Sequence, residues 1–315
     1  MHFIPDIPTL QTFVPVAADL DLIIIQSDLS RAVRRHIQPL LGREFLSEIF
    51  EAYKEGTNEE HIIELIEYIN AASAPLALWM HSKKGGVTFD SSGIYKRKNE
   101  NRWNLSDTEQ QRLEESYLSD GIDALDDLLN YLEESLTYFP TYADAPERKA
   151  ERLSLVPSAS VVLDVFDMLC PRITYHAMRE GLRYMERMRV KPLLQDYYAT
   201  LISTDPAEGS FDHTCLLHAR RAVIYLGTSR ALMTRGVTLT TEGLRVMMDN
   251  RTQVSDSENS RIEAAAREHS KAGEVEVSAL VKLLNDNPPA GYNPPDLSLP
   301  PARCKSLPNS KILLL

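Results

Sequence analysis

Cysteine is scarce in this 315-residue sequence, and the three present are poorly placed for chemistry. Cys170, Cys215 and Cys304 are odd in number and widely spaced, with no Cys-x-x-Cys pair, so neither a disulfide framework nor a structural zinc site is expected. Long apolar runs are missing as well. The longest, Leu20 to Ile25 broken by Asp21 and Ala74 to Met80, fall far short of the ~20 residues that a membrane span needs. The first six residues, Met-His-Phe-Ile-Pro-Asp, lack the basic segment and apolar core of a secretory signal, which makes synthesis in the cytoplasm the expectation. Positive charge is in deficit, and a net charge of −11 argues against a general nucleic-acid binder, because neutralising phosphates needs a basic surface. With 43% hydrophobic and 25% charged residues, the chain has the composition of an ordinary globular protein rather than a disordered or collagen-like one.

The motifs of catalysis are also wanting. The sequence has no Gly-x-Ser-x-Gly and no local signature of a catalytic cysteine. His213 and His218 are five apart, so on a helix they point apart and do not form a one-face metal pair. Lys83-Lys84-Gly85-Gly86-Val87-Thr88 is similar in outline to a phosphate loop, but it lacks the glycine-to-lysine spacing and follows a helix instead of a strand. Asp123, Asp126 and Asp127 could share a helix face, yet no Glu-x-x-His accompanies them to make a di-metal site. The expectation is a protein that is not an enzyme, with no catalytic residue, cofactor or metal.

What the chain does contain is itself, twice. Arg35-His36-Ile37-Gln38-Pro39-Leu40-Leu41 answers to Met188-Arg189-Val190-Lys191-Pro192-Leu193-Leu194, 153 residues on. His61 matches His213 at 152, and Gly86-Val87-Thr88-Phe89 with Gly93-Ile94 matches Gly236-Val237-Thr238-Leu239 with Gly243-Leu244 at 150. Asn101-Arg102 and Ser106-Asp107 match Asn250-Arg251 and Ser255-Asp256 at 149, and Ala124 to Asn130 matches Ala279 to Asn285 at 155. Matches that keep their order while the offset drifts are the mark of a duplicated fold with loop insertions.

Hydrophobic periodicity makes each copy a helical bundle with one small β-hairpin, so the fold class is mainly α. Residues 1–16, with Pro5, Pro8 and Pro15, read as an extended arm; 17–135 as copy one; 136–157 as the connection; 158–286 as copy two; and 287–315 as a flexible tail holding seven prolines. Within copy one, helices are expected over about 18–38, 44–54, 59–82 and 106–134, the third capped by Thr57 or Asn58 and the last by a Ser106/Glu109 capping box. Gly121 is the expected kink or break in that last helix. In copy two the helices fall near 172–190, 211–234 and 255–286.

The copies differ in charge. Residues 107–134 carry ten carboxylates, among them Glu114, Glu115, Asp123, Asp126 and Asp127, against a single arginine, Arg112. The early helices of copy two are basic, with Arg179, Arg183 and Arg187 in one run. Two solvated faces would satisfy this pattern, and so would a head-to-tail contact in which the acidic face of one subunit meets the basic face of the next. The tip Ile312-Leu313-Leu314-Leu315 is either a disordered end or a docking peptide for a partner groove.

Several of these segments carry a resemblance: His36 to Gly42, the Phe45 to Tyr53 helix, the Ala71 to Trp79 helix, the Val87 to Ile94 turn and the Ala124 to Leu129 stretch. Over residues 18 to about 250 the chain resembles a protein family of phages and prophages of Bacteroides-type bacteria. That family is similar to the head-tail connector, or neck adaptor, proteins of tailed phages, including the ring proteins of crAss-like phages. The resemblance implies a dodecameric ring in the virion neck that binds the portal protein and the next tail or ring protein, with DNA passing through its channel unread. Gln195 stands where copy one has Gly42, a departure from the pattern. Two other readings stay open: a helical scaffold that binds a protein partner without forming a ring, and an enzyme with a site between the copies.

Overall fold

A computed structural model describes residues 1–83, 87–90, 93–96, 106–203, 206–234, 237–240, 243–246, 256–289 and 292. Copy one opens with a one-turn helix, α1 (Ile7–Gln11), capped by Asp6, whose side chain accepts from the Thr9 amide. α2 (Leu22–Ala32) runs through a π-helical turn, Val33–Ile37, into α3 (Gln38–Leu41), and α4 (Arg43–Lys54) and α5 (Glu60–Ser82) follow. A hairpin of β1 (Val87–Asp90) and β2 (Gly93–Lys96) precedes the long α6 (Asp107–Glu134). Two short helices, α7 (Pro140–Ala143) and α8 (Pro146–Arg152), lie in the connection. Copy two repeats the order with α9 (Ala159–Leu163), α10 (Pro171–Met185), a π turn at Glu186–Val190, α11 (Lys191–Leu194), α12 (Tyr197–Ser203) and α13 (Phe211–Met233). A hairpin of β3 (Val237–Thr240) and β4 (Gly243–Val246) leads to α14 (Asp256–Asp286). The mainly α, duplicated layout holds, and both hairpins occur where the period of the sequence changes.

The proline that each copy places after its first helix explains the π turn. Proline brings no N–H, and its ring crowds the carbonyl four residues back. In both copies the helix widens just before it: Gln38 N–H bonds to the Val33 carbonyl and Lys191 N–H to the Glu186 carbonyl, each five residues back. Pro39 and Pro192 then occupy the first turn of a new helix, where a missing N–H costs nothing. That helix ends in the left-handed half of backbone space in both copies, at Gly42 (φ 85°) and at Gln195 (φ 51°). Glycine suits that conformation and glutamine does not.

The repeat extends further than the sequence reading allowed. Residues 1–16 are not an extended arm: Phe3, Ile4, Leu10 and Val14 are buried in the first core. Their counterparts lie 152 residues on, where Leu155, Val156 and Val162 fill the second core and α9 stands in the place of α1. Copy two therefore begins inside the segment assigned to the connection. Two matches also shift. The buried residues of α5 and α13 align at 150, Leu65 with Cys215 and Ala72 with Ala222, so His61 and His213 are not counterparts. In the last helices Gly121 lies against Leu76 and Gly273 against Leu226, and both helices end 152 apart, at Glu134 and Asp286. The 155-residue match of Ala124–Asn130 is thus out of register by nearly one helical turn.

α6 runs unbroken through Gly121. A Cβ there would come within 2.6 Å of Leu76 Cγ, and one on Gly273 within 2.6 Å of Leu226 Cγ, so each glycine lets two long helices approach closely. The capping box at Ser106 and Glu109 is formed, with amide-to-side-chain bonds of 2.9 and 3.3 Å. The expected cap on α5 takes another form: Glu59 is the cap residue, and Thr57 Oγ1 accepts from its amide at 3.2 Å.

Relieving the strained residue should stabilise copy two. Gln195→Gly is expected to raise stability by about 1 kcal/mol, and Gly42→Ala to lower it by a similar amount, as read by chemical denaturation.

Candidate protein interface between the two copies

α10 starts without a cap of its own. Cys170, at the cap position, has φ 46° and makes no capping bond, so the first amides of the helix need acceptors from elsewhere. Copy one supplies them. Asp126 Oδ1, from the middle of α6, accepts from the amides of Arg172 at 2.7 Å and Ile173 at 2.9 Å. One helical turn before it, Asp123 Oδ1 accepts from Cys170 Sγ at 2.9 Å, and two turns after it Glu133 Oε2 accepts from Arg172 Nε at 3.1 Å. A carboxylate at a helix start gains from both the free amides and the helix dipole. Burial pushes the Asp126 carboxyl above its ordinary range, and the two amide bonds and the Arg172 charge pull it back in part.

A second acidic centre lies beside the first. Glu151, at the end of α8, is 2% exposed and faces three guanidinium groups: it accepts from Arg179 Nη1 and, at 3.4 Å, from Arg148 Nη1, with Arg183 Nη2 at 4.0 Å. Arg148 also reaches Glu133 at 3.7 Å and lies over the Tyr142 ring, 4.9 Å from its centroid. Carboxylates of α6 and α8 and guanidiniums of α8 and α10 thus form one network. Apolar contacts continue it. Ile173 is buried in the first core, and Val246 of the second hairpin packs on the same cluster.

Between the copies the network borders a cavity of about 360 Å³ lined by Leu41, Gly42, Phe45, Tyr142, Arg148, His176 and Arg179. Burial first, then the three arginines, pushes the His176 imidazole down to about 3. In copy one His36, whose Nε2 is enclosed without a protein partner, is pushed down to about 4 by burial and by Arg35. The Tyr142 hydroxyl, also enclosed without a protein partner, is raised to about 12 by burial.

The residues singled out from sequence fall into three groups. Asp123 and Asp126 are at the junction within one chain, and Arg179 and Arg183 engage Glu151 there. Glu114 and Glu115 lie a few turns away and accept from Gln110 and Gln111 of their own helix at 2.9 Å, while Asp127 and Arg187 are exposed. Ile312, Leu313, Leu314 and Leu315 lie outside the described residues. Sequence reading missed Glu151, Arg148 and His176; only the mixed charge of the connection hinted at the first two. Among the described residues no group of three His, Cys, Asp or Glu side chains could hold a metal ion, and no helix is long and apolar enough to cross a membrane.

Comparison with known families agrees with the duplication. A model described as a family of unknown function, DUF6712, matches the chain twice, over residues 37–152 and 183–297. The chain belongs to that family. The first DUF6712 match starts at the end of the π turn and leaves all of α2 outside it, and the second starts in the last turn of α10. No curated protein and no solved structure matches the chain.

Two outcomes are expected at this junction. Asp126→Ala, which strips two amides of their acceptor, should cost about 1–2 kcal/mol, and Glu151→Gln, which leaves three guanidiniums around a neutral side chain, about 3 kcal/mol, both by chemical denaturation. Both histidines bind protons more readily unfolded, near pH 6.5, than folded. Stability is therefore expected to fall as pH drops from 6.5 towards 4, by roughly 3 kcal/mol for each histidine. His36→Gln with His176→Gln should flatten that part of the stability–pH curve.

Proposed function

We propose that this chain is a structural adaptor that assembles head to tail into a closed ring, the neck ring of a tailed phage, seated beneath the portal with DNA passing through its channel. The observation that carries the reading is the junction between the copies. Two units of one fold meet through unlike faces, the carboxylates of α6 on one side and the start of α10 on the other. A contact of that heterologous kind, unlike a two-fold one, leaves a donor face and an acceptor face at the two ends and so propagates into a ring or a filament.

Charge and composition support the same reading. A chain with net charge −11 offers few partners for phosphates, so DNA would slide through a channel of such subunits without being held. The retained cores and diverged surfaces of the two copies suit an adaptor between unlike neighbours, with the portal protein on one side and a tail or ring protein on the other. No step of catalysis and no cofactor enters the proposal, and its place is the virion, after synthesis in the host cytoplasm.

Light scattering and negative-stain microscopy of the full chain, alone and mixed with a portal protein encoded beside it, test this. A closed oligomer of one discrete mass is expected in at least one of the two conditions. Monomers in both, at every concentration tried, would overturn the ring; a monomer that still binds a protein partner would point to a scaffold instead.

A further inference from the structure

We infer that neighbouring chains join by repeating the contact that joins the two copies, with α14 of one chain set against the start of α2 in the next. The inference rests on the assembly reading above and adds which surfaces meet. Within the chain, α6 of copy one caps and covers α10 of copy two. The counterparts of these helices are α14 and α2, so α14 takes the place against a following chain's α2 that α6 takes against α10; because α2 is capped by its own Asp21 and Ser278 stands where α6 has Asp126, packing and charge rather than capping carry the repeated contact.

The exposed residues of those two faces support it. Counting 153 residues back from copy two, where Met178 and Leu182 answer to the buried Ile25 and Leu29, the helix-start residues Arg172 and His176 correspond to Asp19 and Ile23. His176 is half-buried at the junction, where it lines the cavity, whereas Ile23 is 75% exposed and its neighbour Ile24 54%. On the other face, 152 residues on from Asp123, stands Val275, 67% exposed. Three branched aliphatic side chains in water, on two faces that the duplication pairs, are surface awaiting cover, and each fully buried one of these contributes about 1.5–3 kcal/mol.

Charge complementarity selects a second copy of this chain as the occupant. Inside the chain α6 is acidic and the start of α10 basic. Between chains the signs are in part exchanged: Lys271 and Lys282 share the exposed face of α14 with Val275 and Glu268, while the neighbouring Glu274 is paired with Arg189, and the exposed Asp19 and Asp21 precede Ile23 on α2. The exchange also selects the order of joining. The acidic face of α6 would meet the acidic start of α2 in a wrong pairing of two first copies, which like charges oppose.

The test uses the full chain with Cys170 and Cys304 replaced by serine. Ala17→Cys with Val275→Cys in one chain, the counterparts of Cys170 and Asp123, is expected to give, on mild oxidation, a ladder of disulfide-linked oligomers on a non-reducing gel, and either single variant only monomers. In the chain without added cysteines, Val275→Glu, facing Asp19 and Asp21, should weaken assembly about tenfold or more and leave the thermal unfolding of the monomer unchanged. Oligomers that form by light scattering yet give no ladder, and that persist in Val275→Glu, would overturn this pairing and leave the ring standing. Monomers throughout, with unfolding midpoints unchanged, would overturn both.

Discussion

One carboxylate fixes how the two halves of the molecule meet. The first amides of α10 have no acceptor within their own copy, and Asp126 provides it from the other. A helix start buried without acceptors is too costly to keep, so the position of α10 on α6 is set by hydrogen-bond geometry as well as by shape. The neighbouring ion pairs add little freedom. Glu151 is enclosed by Arg148, Arg179 and Arg183, and removing it would leave charges that the interior cannot accommodate.

Behind this junction each copy depends on one close approach. The glycine of the last helix lets the side chain of a leucine from the central helix lie directly on the backbone, Leu76 on Gly121 and Leu226 on Gly273. The crossing of the first and central helices differs between copies. In copy one Asp28 is fully buried and pairs with His81 Nδ1 at 3.1 Å; at the same place in copy two Gly181 packs against Gly227, with its Cβ position 2.7 Å from the Gly227 carbonyl oxygen. One copy spaces its helices with a polar pair and the other brings them into backbone contact. The same fold tolerates both because the surrounding leucines and alanines keep their positions.

Much of the architecture could be read from the residues. The proline that follows each first helix, the glycine-bounded hairpins and the Ser106/Glu109 box each leave a local signal, because each depends on the backbone chemistry of one or two residues. The limits were equally physical. The short helices α1 and α9 were hidden by the prolines around them, and their place in the core shows only in the burial of Phe3 and Leu155. The helix register at Ala124–Asn130 was misjudged because a leucine-rich helix offers matches at three and four residues alike; the Gly121–Leu76 contact breaks the tie. The junction was legible as an excess of acid on α6 and of base on α10, but charge does not say whether two faces meet within a chain or between chains. Asp126 as a cap, and Glu151 as the centre of three arginines, depend on distances that no local pattern encodes.

One contact, made once inside the chain, is proposed to be made again between chains. An electron-microscopy map of the assembled protein tests it most directly. Bundles at equal angular spacing, two to each chain, with the boundary between chains matching the boundary between copies, are the expected result. Bundles grouped in pairs, with the contact between chains lying on faces other than α14 and α2, would contradict it.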